Sequence, residues 1–225
     1  MTRKRSAAGR RFGRLHLPDP RDKQWRIPRL APSGRESRYW NDNGWWGDQG
    51  ETPHCVGYGW AHWLEDGPIT HGGKAPIVSP GTIYAEAQRL DEWDGEDYDG
   101  TSVRAGAKAL AARGWIAEYR WAATWEDVER TLLEVGPLVV GTYWTLAMSE
   151  PNARGVIHPD GPIVGGHCYV LNGISRKTGM IRGKNSWGRG WGYRGHLYMP
   201  IPEMRDLLFD DGEACLAIEM AKVKQ

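Results

Sequence analysis

The segment Asp48-Gln49-Gly50-Glu51-Thr52-Pro53-His54-Cys55-Val56-Gly57-Tyr58-Gly59-Trp60-Ala61 puts a cysteine at the head of small and aromatic residues that can open a helix. Gln49 stands six residues before that cysteine. Helix N-termini favour negative charge, so a thiolate there is stabilised. A lone cysteine before a helix is more often a small buried hydrophobe. What tips the balance lies more than a hundred residues downstream.

With 225 residues the chain can form one large domain or two lobes sharing an interface. Residues 1–40 carry twelve Lys/Arg against Asp19, Asp22 and Glu36, a net of +9; the whole chain is +1, so the remainder sums to −8. Thirteen tryptophans suggest a core and a cleft built from indoles. The three cysteines, Cys55, Cys168 and Cys215, form no C-x-x-C pair, which argues against a structural zinc site or a disulfide framework. Neither a metal nor another cofactor is expected. No signal-type apolar run follows the basic N-terminus, and no stretch nears 18 apolar residues. A cytoplasmic or virion-associated monomer without membrane contact is expected.

Residues 1–24, with Arg3, Lys4, Arg5, Arg10, Arg11 and Arg14, read as a basic, solvated, disordered arm. Its sharper alternatives are docking on the acidic body of the same chain and contact with nucleic acid. Residues 25–225 read as the domain, with 25–115 mainly helical and 116–225 mainly β. Helices are predicted from Cys55 to about Leu64, after Ser79-Pro80, from Thr101/Ser102 to Arg113, and from the capping box at Thr124 to Val135. Residues 67–78 read as a turn-rich link, and the six acids between Asp91 and Asp99 as a solvated loop without a calcium pattern. Five strands are predicted at 137–143, 168–174, 180–184, 195–199 and 214–220, the second and third as a hairpin, with a short helix at about 202–209. Helices first and strands after mean α+β.

Two later segments complete a possible site. Gly165-Gly166-His167-Cys168 sets a histidine at the mouth of a strand, and Lys184-Asn185-Ser186-Trp187-Gly188 sets an asparagine at the end of the next. In a hairpin the two share one end of the sheet. A thiol, an imidazole base and a group that orients the base form the general layout of an activated nucleophile.

At these residues the sequence resembles the papain-like cysteine peptidases. Gln49…Cys55 has that family's glutamine-to-nucleophile spacing, Gly166-His167 before an apolar strand resembles its histidine motif, and Asn185-Ser186-Trp187-Gly188 with Trp191-Gly192 its asparagine motif. The match covers roughly residues 40–200. The resemblance implies a two-lobed α+β fold, a helical N-terminal lobe and an antiparallel β lobe, with the site in the cleft between them. It implies Cys55 as thiolate nucleophile, His167 as its imidazolium partner, Asn185 as orienting group, Trp187 as cover, and Gln49 with the Cys55 N–H as oxyanion hole. Gly100, Gly165 and Gly166 would line the substrate path, and the partner would be a protein or peptide, cut as by an endopeptidase.

Departures accompany the match. Thr52-Pro53-His54 and Val56 replace the family's usual Cys-Gly-Ser and Trp, and only 54 residues precede Cys55, too few for the long helical propeptide of secreted members. His54 is a competing base, though adjacent residues at a helix start point in different directions. The remaining histidines read as surface or satisfied polar residues, and Cys168 and Cys215 as buried hydrophobes. Other readings are a papain-fold binding or assembly protein with altered chemistry, and an amidase, transpeptidase or deconjugating enzyme on the same scaffold.

Overall fold

The computed structural model describes residues 9–42, 44–66 and 79–219. The predicted link at 67–78, with His71, and the first cations of the arm lie outside the described residues. The elements run β1 (Ser37–Tyr39), α1 (Cys55–Asp66), α2 (Pro80–Gln88), α3 (Val103–Ala112), β2 (Ile116–Trp121), α4 (Trp125–Arg130), β3 (Leu138–Thr145), β4 (Ile163–Ser175), β5 (Met180–Lys184), β6 (His196–Pro200), α5 (Ile201–Asp210) and β7 (Glu213–Glu219). The strands form one antiparallel sheet in the order β2-β7-β3-β4-β5-β6, with β1 paired to the far end of β4. This is the α+β arrangement expected from the sequence.

Side chains alternate across the sheet with the period of two that strand geometry imposes. Leu138, Val140, Tyr169 and Leu171 enter one core with Trp144, Trp187, Trp191 and the α5 residues Met204, Leu207 and Leu208. Val139, Cys168, Val170 and Cys215 enter the other, against Val56, Trp60 and Trp63 of α1 and Leu110 of α3. Cys168 and Cys215 are thus buried hydrophobes. Gly59 lets α1 sit close on the sheet, since a Cβ there would lie 2.7 Å from Cys168 Sγ. That packing fixes the start of α1, and Cys55 with it, over β4.

The structure differs from the sequence reading in four places. β1 and β2 were not expected; β2 is a sheet-edge strand whose buried side chains are only its ends, Ile116 and Trp121, which leaves no run of alternating apolar residues. The fourth helix has the predicted capping box at Thr124 and Asp127, but after Arg130 it widens into a π turn, Thr131–Val135, before Gly136. The acidic loop is not merely solvated: Asp91 accepts from the Tyr98 and Thr101 hydroxyls at 2.6 Å each, which ties the loop to the start of α3. Residues 9–24 are not a free arm. They run along the body, Asp19 caps a short 3-10 turn (Pro20–Gln24), and Asp19 and Asp22 meet the buried Arg104.

Candidate active site

Cys55 is the first residue of α1 and is fully buried. The β4–β5 hairpin pairs Val170 with Lys184, which brings His167 and Asn185 to the same end of the sheet. There His167 Nε2 lies 2.8 Å from Asn185 Oδ1, an atom that also accepts the Ser186 N–H at 2.7 Å. An amide oxygen only accepts, so in this contact Nε2 donates and carries the imidazole proton. Nδ1 then holds the lone pair; it is buried and has no hydrogen-bond partner among the described residues. Trp187 and Trp144 close over the ring, with centroids 5.2 and 4.8 Å from it.

Gln49 is held by the asparagine segment. Its N–H donates to the Ser186 carbonyl at 2.8 Å, and its Oε1 accepts from Ser186 Oγ at 2.6 Å. The side-chain NH2 is thereby turned outward and donates to the carbonyls of Thr52 at 2.8 Å and Arg11 at 3.0 Å. Ser186 and the Thr52 carbonyl fix the direction of the amide, roles that the sequence reading missed. The signal available was Ser186 next to Asn185, a hydroxyl one residue from a candidate site group.

The acceptor from Arg11 belongs to the arm, which threads the cleft. Arg10 pairs with Asp48 and Arg11 with Asp99. Phe12 sits edge-on to His167 and Trp187, with centroids 5.7 and 6.1 Å away. The Gly13 backbone lies beside Cys55 and pulls its thiol down, and the Gly13 carbonyl accepts from Thr101 N–H at 2.9 Å. Arg14 N–H donates to the Gly166 carbonyl at 3.0 Å and Leu15 N–H to the Thr101 carbonyl at 2.9 Å, so the arm runs parallel to the chain at Thr101. All three predicted lining glycines touch it. A Cβ on Gly165 would lie 2.5 Å from Phe12 Cβ, one on Gly166 2.3 Å from the Arg14 carbonyl, and one on Gly100 2.8 Å from the Gly13 carbonyl.

Burial under this roof sets the charge state. It pushes the Cys55 thiol up to about 11, against the opposing pull of the N–H groups of Cys168, Gly13 and Val56 and the charge of Arg14. It pushes His167 down to about 4, which the Asn185 hydrogen bond only partly offsets. In this closed arrangement both shifts favour the neutral thiol and the neutral imidazole, because burial leaves either charge poorly solvated.

His54 lies on the Tyr84 ring, centroids 4.1 Å apart. His62 and His196, expected at the surface or satisfied, are buried: His62 Nε2 accepts from Gly47 N–H at 3.1 Å and His196 packs edge-on against Trp46. His158 and His16 meet Glu203 and Asp211. Among the described residues no group of three His, Cys, Asp or Glu could hold a metal, and no helix is long and apolar enough to cross a membrane.

No family profile and no curated protein matches the sequence. Solved structures do resemble the fold. Xylellain, a cysteine protease from Xylella fastidiosa, aligns over 97% of this chain and 99% of its own, with TM-score 0.75 and 18% identity. Procathepsin L 3 from the larval midgut of Tenebrio molitor aligns over 94% and 77%, with TM-score 0.71 and 14% identity. Procathepsin B S9 from Trypanosoma congolense aligns over 95% and 88%, with TM-score 0.64 and 15% identity. The chain has the papain-like fold.

Proposed function

We propose that the chain is a cysteine-dependent endopeptidase, held latent in this closed form by its own residues 10–16. One observation carries the reading: an extended peptide segment lies across Cys55 with a backbone carbonyl on the Gln49 amide, so the cleft accepts polypeptide. The similarity to cysteine proteases and procathepsins supports the same chemistry. The working unit is the domain 25–225, a monomer of two lobes, and its partner is a protein or peptide substrate.

The arm is held in a pose that cannot react. The arm residue beside the sulfur is Gly13, while the carbonyl on Gln49 belongs to Arg11, two residues away. The nucleophile and the oxyanion donor thus engage different peptide units. When a substrate replaces the arm, Cys55 passes its proton to the free Nδ1 of His167, and the thiolate attacks a carbonyl carbon. Negative charge gathers on that oxygen and is taken up by the Gln49 NH2 and the Cys55 N–H. His167 returns the proton to the leaving amine, the C–N bond breaks, and an acyl-cysteine remains. His167 then takes a proton from water, whose oxygen attacks the acyl carbon and frees Cys55. Asn185 holds the imidazole in the required tautomer throughout.

The test is digestion of a peptide library by full-length protein carrying Phe12→Ala/Arg14→Ala, with and without Cys55→Ala. Cleavage that disappears with Cys55→Ala is expected; cleavage that survives it would overturn the assignment. A thiol-directed epoxide should label Cys55 and leave Cys168 and Cys215 untouched.

A further inference from the structure

We infer that the sheet face around Tyr39, Tyr198 and Tyr193 is a stacking platform for single-stranded nucleic acid. It belongs to the body of the chain, apart from the basic arm, and does not depend on the peptidase reading.

Register builds the platform. Tyr39 of β1 pairs with Gly173 of β4, Gly173 with Arg182 of β5, and Arg182 with Tyr198 of β6. Residues paired in this way share one face, so the four stand in a row across the strands, about 14 Å from end to end. Gly173 lets the Tyr39 ring lie down on the sheet, since a Cβ there would be 2.3 Å from Tyr39 Cδ1. The Arg182 guanidinium sits over that ring at 4.9 Å and donates to Asn172 Oδ1 at 2.9 Å and the Trp40 carbonyl at 2.6 Å. Tyr193 extends the row past Tyr198, with centroids 6.4 Å apart. Tyr39 and Tyr193 are 43% and 46% exposed. Exposed rings set side by side, rather than scattered, mark an interaction surface.

The cations decide which kind. Arg194 lies over the Tyr193 ring at 5.5 Å and Arg189 over the Trp46 ring at 5.8 Å. Both arginines are exposed, and among the described residues neither is paired with a carboxylate. The nearby Asp42 is directed at Arg182 and His196 instead. Trp46 packs against Gly195, where a Cβ would lie 2.3 Å from its ring, and this joins the two cation–ring pairs into one surface. Arg194 also stands in the left-handed region at φ 57°, the sole non-glycine there among the described residues. Between Gly192 and Gly195, a glycine or asparagine would adopt that conformation at lower cost. An arginine kept under strain, unpaired and held over an exposed ring, points to a ligand.

Ring faces alone would suit a proline-rich peptide. Guanidinium groups among them call for a ligand that alternates flat rings with anions, and a nucleic-acid strand presents that pattern. In a duplex the rings are stacked on one another, so the single strand fits. Gly173 lies six residues along β4 from His167, about 20 Å, so a bound strand leaves the cleft open.

The experiment follows the fluorescence anisotropy of a labelled oligo(dT) of about twelve bases with full-length protein over a range of salt. It is repeated with Arg3, Lys4 and Arg5 all changed to alanine, so that the cations opening the arm do not answer for the platform. Tyr39→Ala and Tyr193→Ala should each weaken binding about fivefold or more, the loss of one stacked base. Arg194→Gly should lower the slope of log affinity against log salt by about 0.7, one phosphate contact. Its Tm should stay level or rise, because the strain is relieved; a purely structural arginine would lower Tm and leave the slope alone. A duplex of the same length should bind more weakly. Binding that vanishes with the three arm cations, is unmoved by the tyrosine variants or is matched by the duplex would overturn the inference. So would an oligonucleotide that fails to bind, whether or not an uncharged proline-rich peptide binds in its place.

Discussion

Replacing Arg14 by alanine should release the arm and expose Cys55. The change leaves Glu213 buried without the cation that now touches it at 3.1 Å. Removing one partner of a buried pair costs about 3–5 kcal/mol. Burial raises Glu213, which eases its discharge once the cation is lost, and the lower figure applies. At about 1.4 kcal/mol per tenfold, the docked state loses about a hundredfold in its equilibrium with the released one. The assay is alkylation of Cys55 by iodoacetamide at about pH 7.5. With the thiol pushed up to about 11, the closed state holds very little thiolate at that pH. Arg14 is itself one of the groups that lower that value, so losing its charge in a closed cleft would slow alkylation. An increase of about 10- to 100-fold can come only from opening. Arg14→Lys, which keeps the charge and loses the fork, should fall between. An Arg14→Ala protein that is folded by near-UV circular dichroism and alkylates no faster than wild type would refute the reasoning.

Salt should act in the same direction: the pairs Arg11–Asp99 and Arg10–Asp48 reach the surface, and raising ionic strength from about 0.05 to 0.5 M screens them, so wild-type alkylation should rise a few-fold. In the arm-released background, Ser186→Ala frees Gln49 Oε1 from its 2.6 Å clamp and should lower kcat about tenfold with little change in KM, while Gln49→Ala should cost about 10²–10³; an effect on KM alone would count against an oxyanion role. Stability should fall with acidification. His167 at about 4 and His196 at about 3 lie below the usual 6.5, so between pH 6.5 and those values the unfolded chain binds protons that the native one does not, at up to about 1.4 kcal/mol per pH unit for each group. A Tm that is flat from pH 6.5 to 4.5 would contradict that burial. Active protein mixed with full-length Cys55→Ala chain should cut the arm in trans, giving new N-termini within its first 24 residues, read by mass spectrometry.

Much of the site was legible because its pieces are local. Cys55 needs a helix start, His167 a strand mouth and Asn185 the end of the paired strand, and each is written in a few consecutive residues around it. The hairpin register then brings two of them to 2.8 Å. The seat of the Arg14 side chain is different in kind. Glu213 matters because Gly141, seventy-two positions earlier, pairs opposite it, and no local pattern encodes that pairing. The available hint was an acid at the head of the otherwise apolar Ala214-Cys215-Leu216-Ala217-Ile218, where a strand facing only core would carry none.

The arm was misjudged for a related reason. By composition, Gly9-Arg10-Arg11-Phe12-Gly13-Arg14 has too little apolar surface to form a core of its own, and on that ground it reads as solvated chain. What orders it is complementarity to a surface assembled from distant segments. Gly13 carries the clearest mark of that fit: a Cβ there would lie 1.8 Å from the Pro53 carbonyl, so a side chain cannot pass between Pro53 and Thr101 without moving backbone. Thr52 and Pro53, the residues that depart from the usual papain-like pattern, are the ones that meet the arm and the glutamine together. The Thr52 carbonyl takes one hydrogen of the Gln49 amide while Arg11 takes the other. This departure from the usual motif is, in the folded chain, part of the seat for the segment that closes the cleft. Gly13→Ala should therefore unseat the arm while leaving every group of the site unchanged, and Cys55 alkylation in that variant should rise as it does in Arg14→Ala.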